Sequence, residues 1–217
     1  MWKELLPASV TEKYEVYNFN SAVEILSQTY PEEFAQIVAA LEGFSIEKTD
    51  ITVKGGNESP IPKKFNELLR PNDWKELEIS GDLVVRLLEG KDRNVPAREF
   101  TLHEFISGHK IDYVKGEVAI DLEWNSKDQT FDRDLYAFRT FYECGVITCG
   151  VLITRSESLN RVFAALGDDI KKKYGASTTW MGKLLPRIHA RRHGGCPLLV
   201  VGITPKSISD WEENDDV

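Results

Sequence analysis

The chain has 217 residues, of which 41% are hydrophobic, 29% charged and 10% aromatic. A length of this order buries roughly 70% of its unfolded surface without staples, which excludes a disordered chain, and no apolar run approaches the ~18 residues of a membrane span. The net charge of -8 speaks against a nucleic-acid partner, yet residues 171 to 193 hold Lys171, Lys172, Lys173, Lys183, Arg187, Arg191 and Arg192 with no acid, and residues 210 to 217 hold five acids with no base. A basic face can therefore exist on this acidic protein.

In chain order, Asn20-Ser21 is read as the cap of a short helix, and Pro31 opens a second helix that carries Phe34, Ile37, Val38 and Leu41 before Gly43 stops it. Residues 51 to 54 read as a short strand, and Gly55-Gly56-Asn57-Glu58-Ser59-Pro60 as a loop. A helix from about 63 to 70 and a strand from about 82 to 88 follow. Next, Val118, Ile120, Leu122 and Trp124 alternate with Glu117, Ala119, Asp121 and Glu123, which is a strand with one apolar and one partly acidic face. Thr130 or Asp132 is read as the cap of a helix carrying Leu135, Phe138, Phe141 and Tyr142. After Gly145, residues 146 to 153 form a nearly continuous apolar strand, covered on both faces. A last helix spans about 178 to 190 and a buried strand 197 to 203. The expected fold is α/β, one domain over 1–217, with a mixed central sheet flanked by helices on both faces.

Three cysteines, Cys144, Cys149 and Cys196, lie in apolar sequence without the close pairs of a zinc site, and are expected as buried, reduced thiols. His189, His193 and Cys196 match no four-ligand spacing. The start, Met1 to Pro7, lacks the apolar stretch and cleavage site of a secretory signal, so the expected location is the cytoplasm.

The chemistry concentrates in Asp112, Asp121 and Glu123. If residues 112–124 fold as a hairpin around Lys115-Gly116, these three carboxylates converge. Two carboxylates about 4 Å apart repel by roughly 4 kcal/mol at an effective dielectric near 20, so the cluster calls for a counter-charge, and a hard cation such as Mg²⁺ supplies it. A cation held this way suits phosphodiester hydrolysis. Without that convergence, the strand would be half exposed and its acids would merely meet solvent. Glu76 and Glu78 are read as surface groups more readily than as an outer part of the site.

The segments Ile111-Asp112-Tyr113-Val114-Lys115, Val118-Ala119-Ile120-Asp121-Leu122-Glu123-Trp124 and Gly150-Val151-Leu152-Ile153-Thr154-Arg155 resemble the active-site half of the BglII/BstYI-type restriction endonucleases, which belong to the PD-(D/E)xK nucleases. Ser59-Pro60, Phe65-Asn66, Trp74-Lys75-Glu76, Gly182-Lys183-Leu184 and residues 197–203 extend the resemblance over about 55–205. It implies a homodimeric, Mg²⁺-dependent type II enzyme that cuts double-stranded DNA within a short palindrome, with a GATC-centred one as the candidate, leaving 5′ overhangs. A cognate methyltransferase would protect host sites.

By the same resemblance Asp112 and Asp121 are metal-binding carboxylates, and Glu123 takes the place of the superfamily's lysine, orienting or deprotonating the attacking water. Asn125 and Ser126 match positions that meet the site and the DNA. Ser177, Thr178 and Thr179, in the loop from Tyr174, match a loop approaching the major groove; from the residues alone they read equally as a helix cap. Lys183, Arg187, Arg191 and Arg192 are expected to contact phosphates or guanine edges, against the alternative of a solvated basic face. Two competing functions are a structure-specific repair nuclease on the same fold and a non-catalytic DNA-binding module.

Overall fold

The computed structural model describes residues 2–53, 59–90 and 95–212. The loop expected at 55–58 and the end of the acidic tail, 213–217, lie outside these. The elements are α1 (Ala8–Lys13), β1 (Tyr14–Phe19), α2 (Ala22–Thr29), α3 (Pro31–Gly43), α4 (Lys48–Thr52), α5 (Pro60–Leu69), β2 (Lys75–Leu87), β3 (Arg98–Lys115), β4 (Val118–Glu123), α6 (Thr130–Glu143), β5 (Cys149–Arg155), α7 (Leu159–Ala165), α8 (Asp168–Lys173), α9 (Met181–His189) and β6 (Leu198–Ile203). The strands form a six-stranded mixed sheet in the order β1-β6-β5-β4-β3-β2. β4, β5 and β6 run parallel, while β1 joins β6, β3 joins β4 and β2 joins β3 antiparallel, so that β1 and β2 are the edges.

Two cores cover the sheet. Tyr113, Val118, Ile120 and Leu122 point into the first, with Leu26, Ile37, Leu41, Phe65 and Phe163 from α2, α3, α5 and α7. Ala119, Leu152 and Val200 point into the second, with Phe131, Leu135, Phe138, Leu184 and Ile188 from α6 and α9. Helices thus lie on both faces, as the near-continuous apolar runs of β5 and β6 require of strands buried on both sides. No helix among the described residues is long and apolar enough to cross a membrane.

Several local expectations are corrected. Residues 48–52 are a helix where a strand was expected at 51–54, because Glu47 and Asp50 form a reciprocal capping box. The strand at 82–88 is the outer part of β2, which begins at Lys75. Strand β1, not anticipated at all, pairs along its whole length with β6, a contact between the two ends of the chain. Ser21 sits at the N-cap of α2 in a left-handed conformation and makes no capping bond; Asn18 Oδ1 accepts the Val23 N–H instead. Neither Thr130 nor Asp132 caps α6, which follows Gln129 without a side-chain cap. The helix expected from 178 starts only at Met181, after the extended Trp180. Cys149 and Cys196 are buried, whereas Cys144 is exposed.

Candidate active site

The site grows from the hairpin β3–β4. Gly116 and Glu117 form a two-residue turn between Lys115 and Val118, with Gly116 at φ +53°, a left-handed conformation that favours glycine. The register pairs Tyr113 with Ile120, so Asp112 and Asp121 are the next residues on facing strands. On its other edge β3 carries an irregularity here, because the step from Ile111 to Val114 lies opposite the shorter step from Leu77 to Lys75. The extra residue places Ile111 and Val114 in the same core, with Asp112 between them, half-buried.

Asp121 and Glu123 are only 5% and 7% exposed, which removes the reading of a strand whose acids merely meet solvent. Burial drives the Asp121 carboxyl well above the usual range, and the charges of Asp134, Asp112 and Glu123 add to it. Burial also raises Glu123, offset in part by the Ser126 hydroxyl and by Arg133. Arg133 Nη2 lies 3.4 Å from Glu123 Oε1 and 3.0 Å from Asp134 Oδ1.

Asp134, in α6, was not singled out from the sequence. Its side chain is 1% exposed, and burial with the Glu123 charge pushes its carboxyl up to about 8. A signal was present: Phe131, Asp134, Leu135, Phe138 and Phe141 form one helical stripe, and an acid within an apolar stripe needs a reason. Glu123 Oε2 and Asp134 Oδ2 are both buried without a hydrogen-bond partner among the described residues. Hard, anionic oxygens of which two are orphaned fit a divalent cation in donor chemistry. Among the described residues no three His, Cys, Asp or Glu side chains are already gathered as a metal cage. Glu76 and Glu78 stay outside the cluster, half exposed, 3.7 and 3.5 Å from Lys110.

A second group borders the carboxylates at the end of β4. The Thr179 N–H donates to Ser126 O at 2.8 Å and the Asp128 N–H to Ser177 O at 3.0 Å, and Lys127 bridges to Thr178, so the structure brings Asn125 and Ser126 beside the loop 175–179. Arg155, overlooked as the last residue of an apolar strand, ties this junction together. Its Nε donates to Trp124 O at 2.6 Å and Thr179 O at 3.1 Å, and its Nη2 to Thr178 Oγ1 at 2.6 Å. The guanidinium lies 5.1 to 5.9 Å from the rings of Trp124, Phe163 and Tyr174, and burial pulls its pKa down to about 10. Of the three hydroxyl residues expected to approach DNA, Ser177 is exposed, Thr178 is half-buried and bonded to Arg155, and Thr179 is buried.

The basic residues of α9 do not form an unpaired face. Lys183 lies 3.7 Å from Asp128, and Arg187 lies 3.6 Å from Asp128 and 3.1 Å from Asp132. Arg192 also binds Asp132. Burial pushes the Asp132 carboxyl up, but Arg192 and Arg187 outweigh it and hold it below the usual range. These side chains line an open groove with Gly182 and Pro186. A Cβ at Gly182 would sit 2.2 Å from the Trp180 ring, so glycine permits that packing. Arg191, exposed with φ +56°, follows α9.

Residues 14–203 match the family described as restriction endonuclease BglII/BglIII, a span that begins well before the 55–205 carrying the sequence resemblance. No curated protein matches the chain.

Proposed function

The chain belongs to the BglII/BglIII restriction endonuclease family and is a type II site-specific deoxyribonuclease acting on double-stranded DNA, and from that premise we propose that it hydrolyses both strands of a short palindrome with Mg²⁺ held by Asp112 and Asp121. The family generally uses a divalent metal, typically Mg²⁺. The observation that carries the reading is the burial of Asp121 and Glu123 together at the end of β4, beside Asp112 on the facing strand. Charges concentrated there without full compensation raise one another's pKa values, and a cation relieves them. Such a cation, when bound, polarises a phosphoryl oxygen and lowers the pKa of a water. Glu123, on the same strand face as Asp121, orients that water or takes its proton. Arg133 steadies the Glu123 carboxylate through Oε1.

On this reading the whole chain acts as one restriction-endonuclease-like domain, and two copies assemble so that a two-fold protein meets a two-fold site. Asn125, Ser126, Ser177 and Thr178 sit where DNA would enter beside the carboxylates. Arg155 holds that junction in register, and Thr179 contributes through its backbone. Lys183, Arg191 and Arg192 supply phosphate contacts, while Arg187, 16% exposed and held by two aspartates, chiefly orders the groove.

That division predicts two different mutants. Lys183→Ala is expected to lower the slope of log affinity against log salt by about 0.9 for the lost phosphate contact, with little change in stability. Arg187→Ala is expected to leave the slope within about 0.3 of wild type and to lower the thermal midpoint instead, since it strips partners from Asp128 and Asp132. Equal slopes for Lys183→Ala and wild type would return Lys183 to the solvent face.

The function itself is tested by incubating the protein with long unmethylated DNA in Mg²⁺ and in EDTA and sequencing the fragment ends. Ends sharing one palindrome with a 5′ overhang are expected, a GATC-centred site being the candidate, and DNA carrying the cognate methyltransferase's mark should stay intact. Cutting that persists in EDTA would remove the metal assignment. Ends without a common palindrome would favour a structure-specific nuclease, and intact DNA a binding module.

A further inference from the structure

The residues matched to the family's catalytic set account for Asp112, Asp121 and Glu123 and leave a fourth carboxylate in the same cluster without a task. Asp134 comes from α6, so its position depends on how that helix docks on the sheet, not on the hairpin. It is 1% exposed, its charge raises the Asp121 carboxyl, the Glu123 charge raises its own, and its Oδ2 is buried with no hydrogen-bond partner among the described residues. Burying a carboxylate beside two others destabilises the metal-free protein. Were Asp134 only an anchor for Arg133, the cost would be hard to understand, because Arg133 is 67% exposed and its charge is solvated without a buried partner.

The geometry offers another role. The Arg133 guanidinium spans Glu123 Oε1 and Asp134 Oδ1, leaving Glu123 Oε2 and Asp134 Oδ2 as the two orphaned oxygens of the pair. A side chain that fixes a ligand or base without touching the reacting atoms determines its orientation and its charge, and such partners are worth about 10–100-fold in metal affinity or activity.

We propose that Asp134 is a positioning residue of the active site: with Arg133 it fixes the Glu123 carboxylate, and its buried charge strengthens the hold of the carboxylate cluster on the divalent cation. This rests on the metal reading given above.

The test is Asp134→Asn, which keeps the shape and removes the charge. The thermal midpoint is measured in EDTA and across a Mg²⁺ titration, and kcat and KM are measured on a duplex bearing the mapped site. The expected variant is at least as stable as wild type in EDTA, needs about 10–100-fold more Mg²⁺ for half its stabilisation, and loses kcat by a similar factor with KM for DNA unchanged. Asp134→Glu should recover part of the Mg²⁺ response. A variant that melts lower in EDTA while keeping the wild-type Mg²⁺ midpoint and kcat would overturn the proposal and make Asp134 a structural anchor.

If Asp134→Asn does not fold, Arg133→Met tests the other half of the positioning pair. Removing the guanidinium frees the Glu123 carboxylate from its link to Asp134, so kcat should fall about 10–100-fold with KM for DNA unchanged; a wild-type kcat overturns the proposal. A wild-type protein with no Mg²⁺-dependent stabilisation or cutting would overturn the metal reading and the proposal together, whereas a wild-type response that Asp134→Asn fully retains overturns the proposal alone.

Discussion

Asp121→Asn is expected to bring cleavage in saturating Mg²⁺ down by about 10³-fold or more while specific DNA binding survives. The magnitude follows from the role: a cation stabilises several kcal/mol of transition-state charge, and about 4 kcal/mol corresponds to roughly 10³ in rate. Asparagine is close in size and keeps an oxygen that can accept the Leu122 N–H, which Asp121 Oδ1 now accepts at 3.2 Å, so the strand end need not rearrange. It removes the charge that helps to hold the cation. The basic side chains around the α9 groove are untouched, so affinity for the site and its salt dependence should stay near wild type. Asp112→Asn should behave alike, because Asp112 faces Asp121 across the hairpin. Single-turnover cleavage and equilibrium binding on the same duplex make the check. A variant that cuts at the wild-type rate with Mg²⁺ would refute the metal assignment, and one that loses binding equally would show that the carboxylate shapes the DNA surface.

How far this site was legible depends on how local its determinants are. The Asp112–Asp121–Glu123 arrangement is written in a two-residue turn and a period of two, both properties of adjacent sequence; the structure gives the alternation as read and sets the turn one residue later, at Gly116-Glu117, with Lys115 paired to Val118. The burial of those acids is not local. It comes from α6 packing over β3 and β4 on that face, which the apolar stripe of α6 foreshadows without fixing the docking. Asp134 and Arg155 were missed for related reasons. Each is a charged residue at the margin of an apolar run, and its meaning appears only when a distant segment supplies Glu123 in one case and Thr178 in the other. The basic stretch 171–193 shows the converse. Its charge is plain in the sequence, but its pairing with Asp128 and Asp132 arises from the packing of α9 on α6, so the free positive field is smaller than the count suggests. Strand β1 depends on β6, nearly the full chain away.

The carboxylate cluster is expected to cost the metal-free protein stability increasingly as pH rises from about 4 to about 8, and Mg²⁺ is expected to return it chiefly at the upper end. Asp134 has a folded-state pKa of about 8, and Asp121 and Glu123 are also raised. Unfolded carboxylates titrate near 4. Below that pH both states are protonated and the cluster costs no charge burial. Between about 4 and 8 the unfolded chain has released its protons while the folded chain retains them, so the folded state binds more protons and stability falls with each unit of pH. Above about 8 Asp134 ionises in the folded protein as well, and its share of the loss is complete. The total is on the order of a few kcal/mol, spread over carboxylates that share the protons. A divalent cation competes with those protons for the same oxygens, so its stabilising increment should grow over the same window. Thermal midpoints in EDTA and in Mg²⁺ at pH 5.5 and 8.5 decide the matter. An EDTA midpoint that is flat or rises towards pH 8.5, with an equal Mg²⁺ increment at both values, would mean that the carboxylates are solvated in the folded protein and that their enclosure by α6 is wrong.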